Sequence, residues 1–162
     1  HKKRNHIAQF SKYGAVFSEI TPNDFDECIT FAAESYNAKD GYSDASSVAE
    51  QYAIHTFFQN FEALELKGGL LRVDGELAAF SIGEPICSNT FGVHIEKADT
   101  RFHGAYPAMA QAFAAHFAMD YTYLNREEDL GIPGLRKSKL SYYPELLLEK
   151  WTATCDTPEK LL

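Results

Sequence analysis

Apolar positions recur along the chain with two periods, and the switches between them lay out the elements. Ile7, Phe10 and Tyr13 fall at helical spacing in a basic opening segment, so residues 1–12 read as the continuation of a helix that begins earlier. AVFSEI at 15–20 alternates as a short strand does. Thr21-Pro22-Asn23-Asp24 then combines a hydroxyl cap, a first-turn proline and an acidic third position, which predicts a helix start. Phe25, Cys28, Ile29 and Ala32 form that helix's apolar stripe, and Lys39-Asp40-Gly41 is expected to end it. After the polar stretch 40–47, apolar residues at 54, 57, 58, 61 and 64 predict a second amphipathic helix over 48–66. Gly68-Gly69 interrupts the pattern, and LLRV and ELAAFSIGEPI flank Asp74-Gly75, a hairpin signal.

A third strand is predicted over 90–97 (TFGVHIEK), followed by a loop and a helix over 105–119 with the stripe Tyr106, Met109, Ala110, Phe113 and Phe117. Residues 121–124 read as a short strand, 131–134 as a turn into a helix at 134–142, and 145–155 as a last strand. No internal repeat is visible. This order predicts an α/β fold, with a mixed, mostly antiparallel sheet and helices on both faces. The strands on either side of helix 105–119 are expected to run parallel and to splay into a V, whose mouth at their carboxyl ends is a natural ligand site.

At 162 residues, one core is expected. Apolar residues at 45% and charged residues at 23% exclude fibrous and disordered classes. A net charge of −8 opposes attraction of the whole protein to nucleic acid or anionic lipid, so any phosphate contact has to be local. Cys28, Cys87 and Cys155 are odd in number and widely spaced, which fits neither a disulfide framework nor a metal knuckle and points to the reducing cytoplasm. No apolar run is long enough to predict a membrane span.

Candidate chemistry gathers in two places. Arg101-Phe102-His103-Gly104-Ala105-Tyr106 follows a strand and opens a helix, where backbone N–H groups and the helix dipole favour a phosphate; an ordinary helix start is the alternative. The second place is the stretch from Asn125 to Pro144. Arg136 and Lys139, three apart on a short helix, share a face, and Arg126 stands at the end of the preceding strand, so three cations can serve an anionic donor. The alternative is surface pairing with Glu127, Glu128 and Asp129. Asp129 is a candidate for orienting or deprotonating an attacking amine, for holding a cationic aminoacyl group, or for a turn cap. Glu96 lies one pleat from His94, which places both on one face of the sheet, as site residues or as satisfied sheet residues. His55, His103 and His116 have no ligand-like spacing, so no metal is expected, and hydrolase, kinase and zinc-protease motifs are absent from the sequence.

RFHGA resembles the pyrophosphate loop of the GNAT-type N-acyltransferases, Arg/Gln-x-x-Gly-x-Gly/Ala, with Tyr106 in place of the small residue and Pro107 removing an N–H. The stretch from Asn125 to Lys139 resembles the signature N-R-E-x-D-x-G-x-x-G-L-R-x-x-K of the phosphatidylglycerol lysyltransferase C-terminal domain family at every position, and likeness extends to GVHIEKA, ELLLEKW and the opening KKRNH. That resemblance implies a tandem pair of GNAT-like halves related to Fem-type aminoacyl-transferases. In this reading 1–13 is a linker helix from a preceding half and 14–162 a single GNAT-like domain. It also implies transfer of an aminoacyl or acyl group from an anionic donor, a charged tRNA acceptor end being favoured, to an amine or hydroxyl. Acetyl-coenzyme A bound at Gly104 is the alternative donor, and a non-catalytic binding or scaffolding half is the alternative of another class. The resemblance makes Glu96 a base and Tyr142 the proton donor to the leaving group, with an aromatic cluster as the other role for Tyr142. Asp129 and Lys139 are further catalytic candidates, and Arg126, Arg136, Arg101, Gly104 and Asn125 the donor-binding ones.

Overall fold

A computed structural model describes residues 2–37 and 45–154, with side chains from 2–35 and 48–154. In chain order the elements are α1 (Lys2–Phe10), β1 (Val16–Glu19), α2 (Phe25–Asn37), α3 (Ala45–Gln59), β2 (Lys67–Val73), β3 (Glu76–Cys87), β4 (Thr90–Ala98), α4 (Ala105–Phe117), β5 (Tyr123–Asn125) and α5 (Pro133–Leu140). The chain divides into two compact units, His1–Glu127 and Glu128–Leu162. The first contains one five-stranded sheet in the order β1-β2-β3-β4-β5. Its pairs are antiparallel except β4–β5, which is parallel, as a crossover through α4 requires.

Local chemistry accounts for most boundaries. The Asp24 carboxylate accepts from the Thr21 N–H at 2.8 Å and its hydroxyl at 2.7 Å, closing the turn that leads into α2. Asp74 and Gly75 both have positive φ, +50° and +86°, the geometry of a two-residue hairpin turn. The second helix stops at Gln59 rather than 66, because the chain turns back through Glu65 at φ +52°. Phe61 nonetheless packs on Phe25, ring centroids 5.2 Å apart, which is why it fits the helical period without being helical.

Gly68 and Gly69 belong to β2 instead of interrupting it. A Cβ on Gly68 would lie 2.7 Å from the Ile20 side chain, and one on Gly69 2.7 Å from the Phe17 ring, so glycine lets side chains of β1 and of the residue after it lie across β2. The last expected strand does not form: residues 145–154 join no ladder. Leu146, Leu147 and Leu148 do not alternate with polar residues and are all exposed, so no single face is available to bury against a partner. The expected helix end at Lys39-Asp40-Gly41 lies outside the described residues.

Two apolar clusters sandwich the sheet. On one face Phe10 of α1 and Met109 and Phe113 of α4 pack with Leu71, Val73, Phe91 and Val93. On the other, Cys28 and Ala32 of α2 and Ile54 and Phe58 of α3 pack with Leu70, Leu77, Phe80, Ile82 and Ile95. Burial in the second cluster pushes the Cys28 thiol up to about 12, making it a packing residue and not a nucleophile.

Arg72 ties β2 to α2, with its guanidinium 3.0 Å from Asp24 and 2.5 Å from Glu27. These hydrogen bonds hold the Glu27 carboxyl below its ordinary value; at Asp24 burial pushes up, but the bonds from Thr21 and Arg72 outweigh it. Carboxylates whose folded values are depressed add stability above their unfolded values near pH 4, and that stability is lost as pH falls through the folded ones. Urea unfolding of Arg72→Met is therefore expected to show a deficit of about 1 kcal/mol at pH 7, kept small by the exposure of Glu27. The deficit should shrink as pH falls through the lowered carboxyl values and the carboxylates protonate; one that persists unchanged in acid contradicts this account.

Candidate functional site

The β4–β5 ladder lasts three residue pairs, Thr90 with Tyr123, Phe91 with Leu124 and Gly92 with Asn125. β4 continues to Ala98 while β5 ends, and the residue after it is Arg126. One nitrogen of its guanidinium donates to both carboxylate oxygens of Glu96, at 2.9 and 3.0 Å. Both side chains are largely shielded, 22% and 14% exposed, so the pair acts in a medium of reduced dielectric. Lys3 of α1 lies close enough to feel both: burial lowers its ammonium first, Arg126 lowers it further, and Glu96 opposes. Tyr106 at the start of α4 completes the surroundings. Burial raises its hydroxyl, the Ala98 backbone draws it down by hydrogen bonding, and the charges of Glu96 and Glu50 raise it again.

His94 does not share a face with Glu96, contrary to the pleat argument. Ile82 pairs with Ile95 but Gly83 pairs with Val93, leaving His94 as an extra residue in a β-bulge. The bulge puts Val93 and Ile95 in opposite clusters. The His94 ring stacks on Phe57 of α3, centroids 5.4 Å apart, and Lys97 on the same side reaches Glu50 of α3 at 2.8 Å. His94 Nε2 faces Glu84 of β3 at 2.9 Å and Nδ1 faces Glu127 at 2.6 Å. Glu96 is left on the α1/α4 side. Sequence reasoning missed Lys3 and Glu84 as members of these groups, because their places depend on the docking of α1 and on the register past the bulge.

The turn into α4 has its own arrangement. Arg101 is ion-paired with Asp99 at 2.6 Å and with Glu76. Gly104, at φ +92°, faces α1: a Cβ there would lie 2.2 Å from the His6 carbonyl oxygen and 3.3 Å from Phe10 Cβ. Asn125 Oδ1 accepts from the Glu127 N–H at 2.8 Å and shapes the chain leaving β5.

Within the second unit Asp129 is the organiser of a loop. Its carboxylate accepts from the Gly131 N–H at 2.9 Å and from Arg136 Nε and a terminal nitrogen at 2.6 and 3.0 Å. Arg136, then the Gly131 N–H, hold the Asp129 carboxyl below its ordinary value. Lys139 Nζ donates to the Glu128 carbonyl at 2.6 Å, so Arg136 and Lys139 on one face of α5 both reach the residues before it. The Tyr142 N–H donates to the Lys139 carbonyl at 3.1 Å, ending the helix in a turn. Among the described residues no cluster of His, Cys, Asp or Glu suits a metal ion, and no helix is long and apolar enough to cross a membrane.

The family described as phosphatidylglycerol lysyltransferase, C-terminal, matches residues 1–154. The chain belongs to this family. No curated protein matches it. Among solved structures, this family member resembles a conserved protein of unknown function from Bacteroides thetaiotaomicron VPI-5482 with TM-score 0.83 and 45% identity, over 91% of this chain and 50% of that one. The chain thus spans about half the length of that relative. Ribosomal-protein-alanine N-acetyltransferase from Brucella melitensis biovar Abortus 2308 matches with TM-score 0.54 and 16% identity over 88% of this chain and 98% of its own. AAC(6')-Iy in complex with the bisubstrate analogue CoA-S-monomethyl-acetylneamine matches with TM-score 0.56 and 8% identity over 87% and 99%. At such identities the likeness is one of fold, and the fold is that of the GNAT acetyltransferases.

Proposed function

We propose that the domain is an acyltransferase that moves an aminoacyl or acyl group from an anionic donor, a charged tRNA by preference, to an amine or hydroxyl acceptor. The observation that carries this reading is the shielded Glu96–Arg126 pair where the parallel β4–β5 ladder ends, within a GNAT-like fold and this family. The chemistry is nucleophilic displacement at the donor ester. The acceptor's lone pair forms the new bond to the carbonyl carbon, the ester C–O bond breaks, and the proton lost by the acceptor is balanced by one gained by the leaving oxygen. Holding the acceptor's lone pair over the face of the donor carbonyl supplies most of the acceleration, and charge placed at the developing oxyanion supplies more.

In this assignment Glu96, oriented by Arg126, receives the acceptor's proton. Within the second unit, Arg136 and Lys139 are the cations assigned to the donor's anionic part. Asp129 is a poor base with Arg136 bound to it and suits the cationic amino group of an aminoacyl donor instead. A preceding GNAT-like half and a cytoplasmic setting belong to the same proposal. The test is single-turnover transfer from charged tRNA by the full-length protein. Asp129→Asn and Lys139→Ala are each expected to slow it by about tenfold, the scale of one charge-assisted contact. Undiminished transfer in both would support a scaffolding half, and turnover with acetyl-coenzyme A in place of tRNA would move the donor to coenzyme A.

A further inference from the structure

The fold implies a coenzyme A donor, since a neighbour of the same architecture was captured with a coenzyme A bisubstrate analogue. A diphosphate on this fold suits the turn from β4 into α4, where a helix N-terminus offers N–H groups and dipole. The residues at that turn in this chain do not fit the group.

The cradle beside Gly104 is filled by α1: the position a Cβ would take lies 2.2 Å from the His6 carbonyl oxygen and 2.9 Å from its carbon. Of the first-turn donors, the Ala105 N–H goes to the Phe102 carbonyl at 3.0 Å. Pro107 has none. Arg101 pairs with Asp99 and Glu76. α1 is anchored by Phe10, 3% exposed in the core, and the chain just beyond it by the Tyr13 ring set edge-on to Phe102 at 5.5 Å. The His6 and His103 rings meet at 4.7 Å.

We propose that α1 is a built-in plug in the diphosphate seat of this fold, so that the turn at Gly104 packs a helix and this domain takes no coenzyme A there. The inference deepens the acyl-transfer reading, because it leaves the donor's anionic part to cations away from that turn, but its test does not need transfer to occur.

Calorimetry of the full-length protein with coenzyme A up to about 1 mM, the top of the usual range for substrates, is expected to show no saturable heat. Hydrogen exchange is expected to find the amides of 7–10 and of 105–109 protected in the unmodified protein and unchanged by coenzyme A. Phe10→Leu, which keeps an apolar anchor of smaller size, should speed exchange in both segments together by about tenfold while leaving the β2–β3 hairpin unchanged. Micromolar binding of coenzyme A, protection of 101–109 on adding it, or free exchange of 7–10 beside a protected α4 start would each overturn the proposal. Loss of transfer with these exchange results intact would count against the acyl-transfer reading alone.

Discussion

Gly83→Ala is expected to lower the stability of the chain by about 3 kcal/mol, the upper range for forcing a methyl into a packed interior. Gly83 lies on β3 opposite Val93, directly after the point where the register shifts past His94. A Cβ there would stand 2.2 Å from the Gly92 carbonyl oxygen and 2.8 Å from the Phe91 ring. The oxygen belongs to β4 backbone and cannot swing aside as a long side chain does, so relief requires β3 and β4 to separate. For a chain of this size the midpoint of thermal unfolding should fall by about 9 °C. Gly75→Ala is the control, since the same substitution meets only open space there and carries only the cost of a positive φ, about 1 kcal/mol. Equal melting shifts in the two variants would show that the close approach at the bulge is not what demands glycine at 83.

The second large effect is at Arg126. Arg126→Ala removes the cation from a carboxylate that is only 14% exposed, leaving Glu96 with a charge in a poorly solvated place. Breaking a fully buried pair costs about 3–5 kcal/mol, and the remaining exposure here reduces that to about 2 kcal/mol. On the proposed function, transfer from charged tRNA by the full-length protein is expected to fall by about a hundredfold in kcat/KM, since Glu96 loses the group that orients it. A double-mutant cycle separates pairing from folding. Arg126→Ala with Glu96→Ala should recover part of the lost stability, because the poorly solvated carboxylate is gone with its guanidinium, while activity stays low. Strictly additive losses of stability in the double variant would contradict the pairing account.

The sheet's layout was legible because its determinants are local. Alternation over 15–20, the Asp74-Gly75 turn and the stripe of Met109 and Phe113 each act within a few residues, and each element appears near its expected place. The Thr21–Asp24 cap was legible for the same reason. Gly68-Gly69 misled because glycine signals a break locally, whereas here it makes room for Phe17 of a neighbouring strand and Ile20 just after it. The run 145–155 misled through apolar content alone; a strand also needs a partner and one face to bury.

At the site, residue types were readable and their company was not. Arg126, Glu96, Asp129 and Arg136 stand out in the sequence, and the motif that holds three of them places the chain in its family. By itself the sequence determined the order of elements as far as the last helix, the parallel β4–β5 step and the charged residues near its end, because periodicity, caps and turns act over short spans of chain. Tertiary structure alone decided that Glu96 faces α1 while His94 faces α3, and that Gly104 packs against His6. The reason is geometric: one extra residue in a β-bulge reverses every later side chain on the strand, and a helix docks wherever a long-range fit of surfaces allows, which no spacing along the chain records.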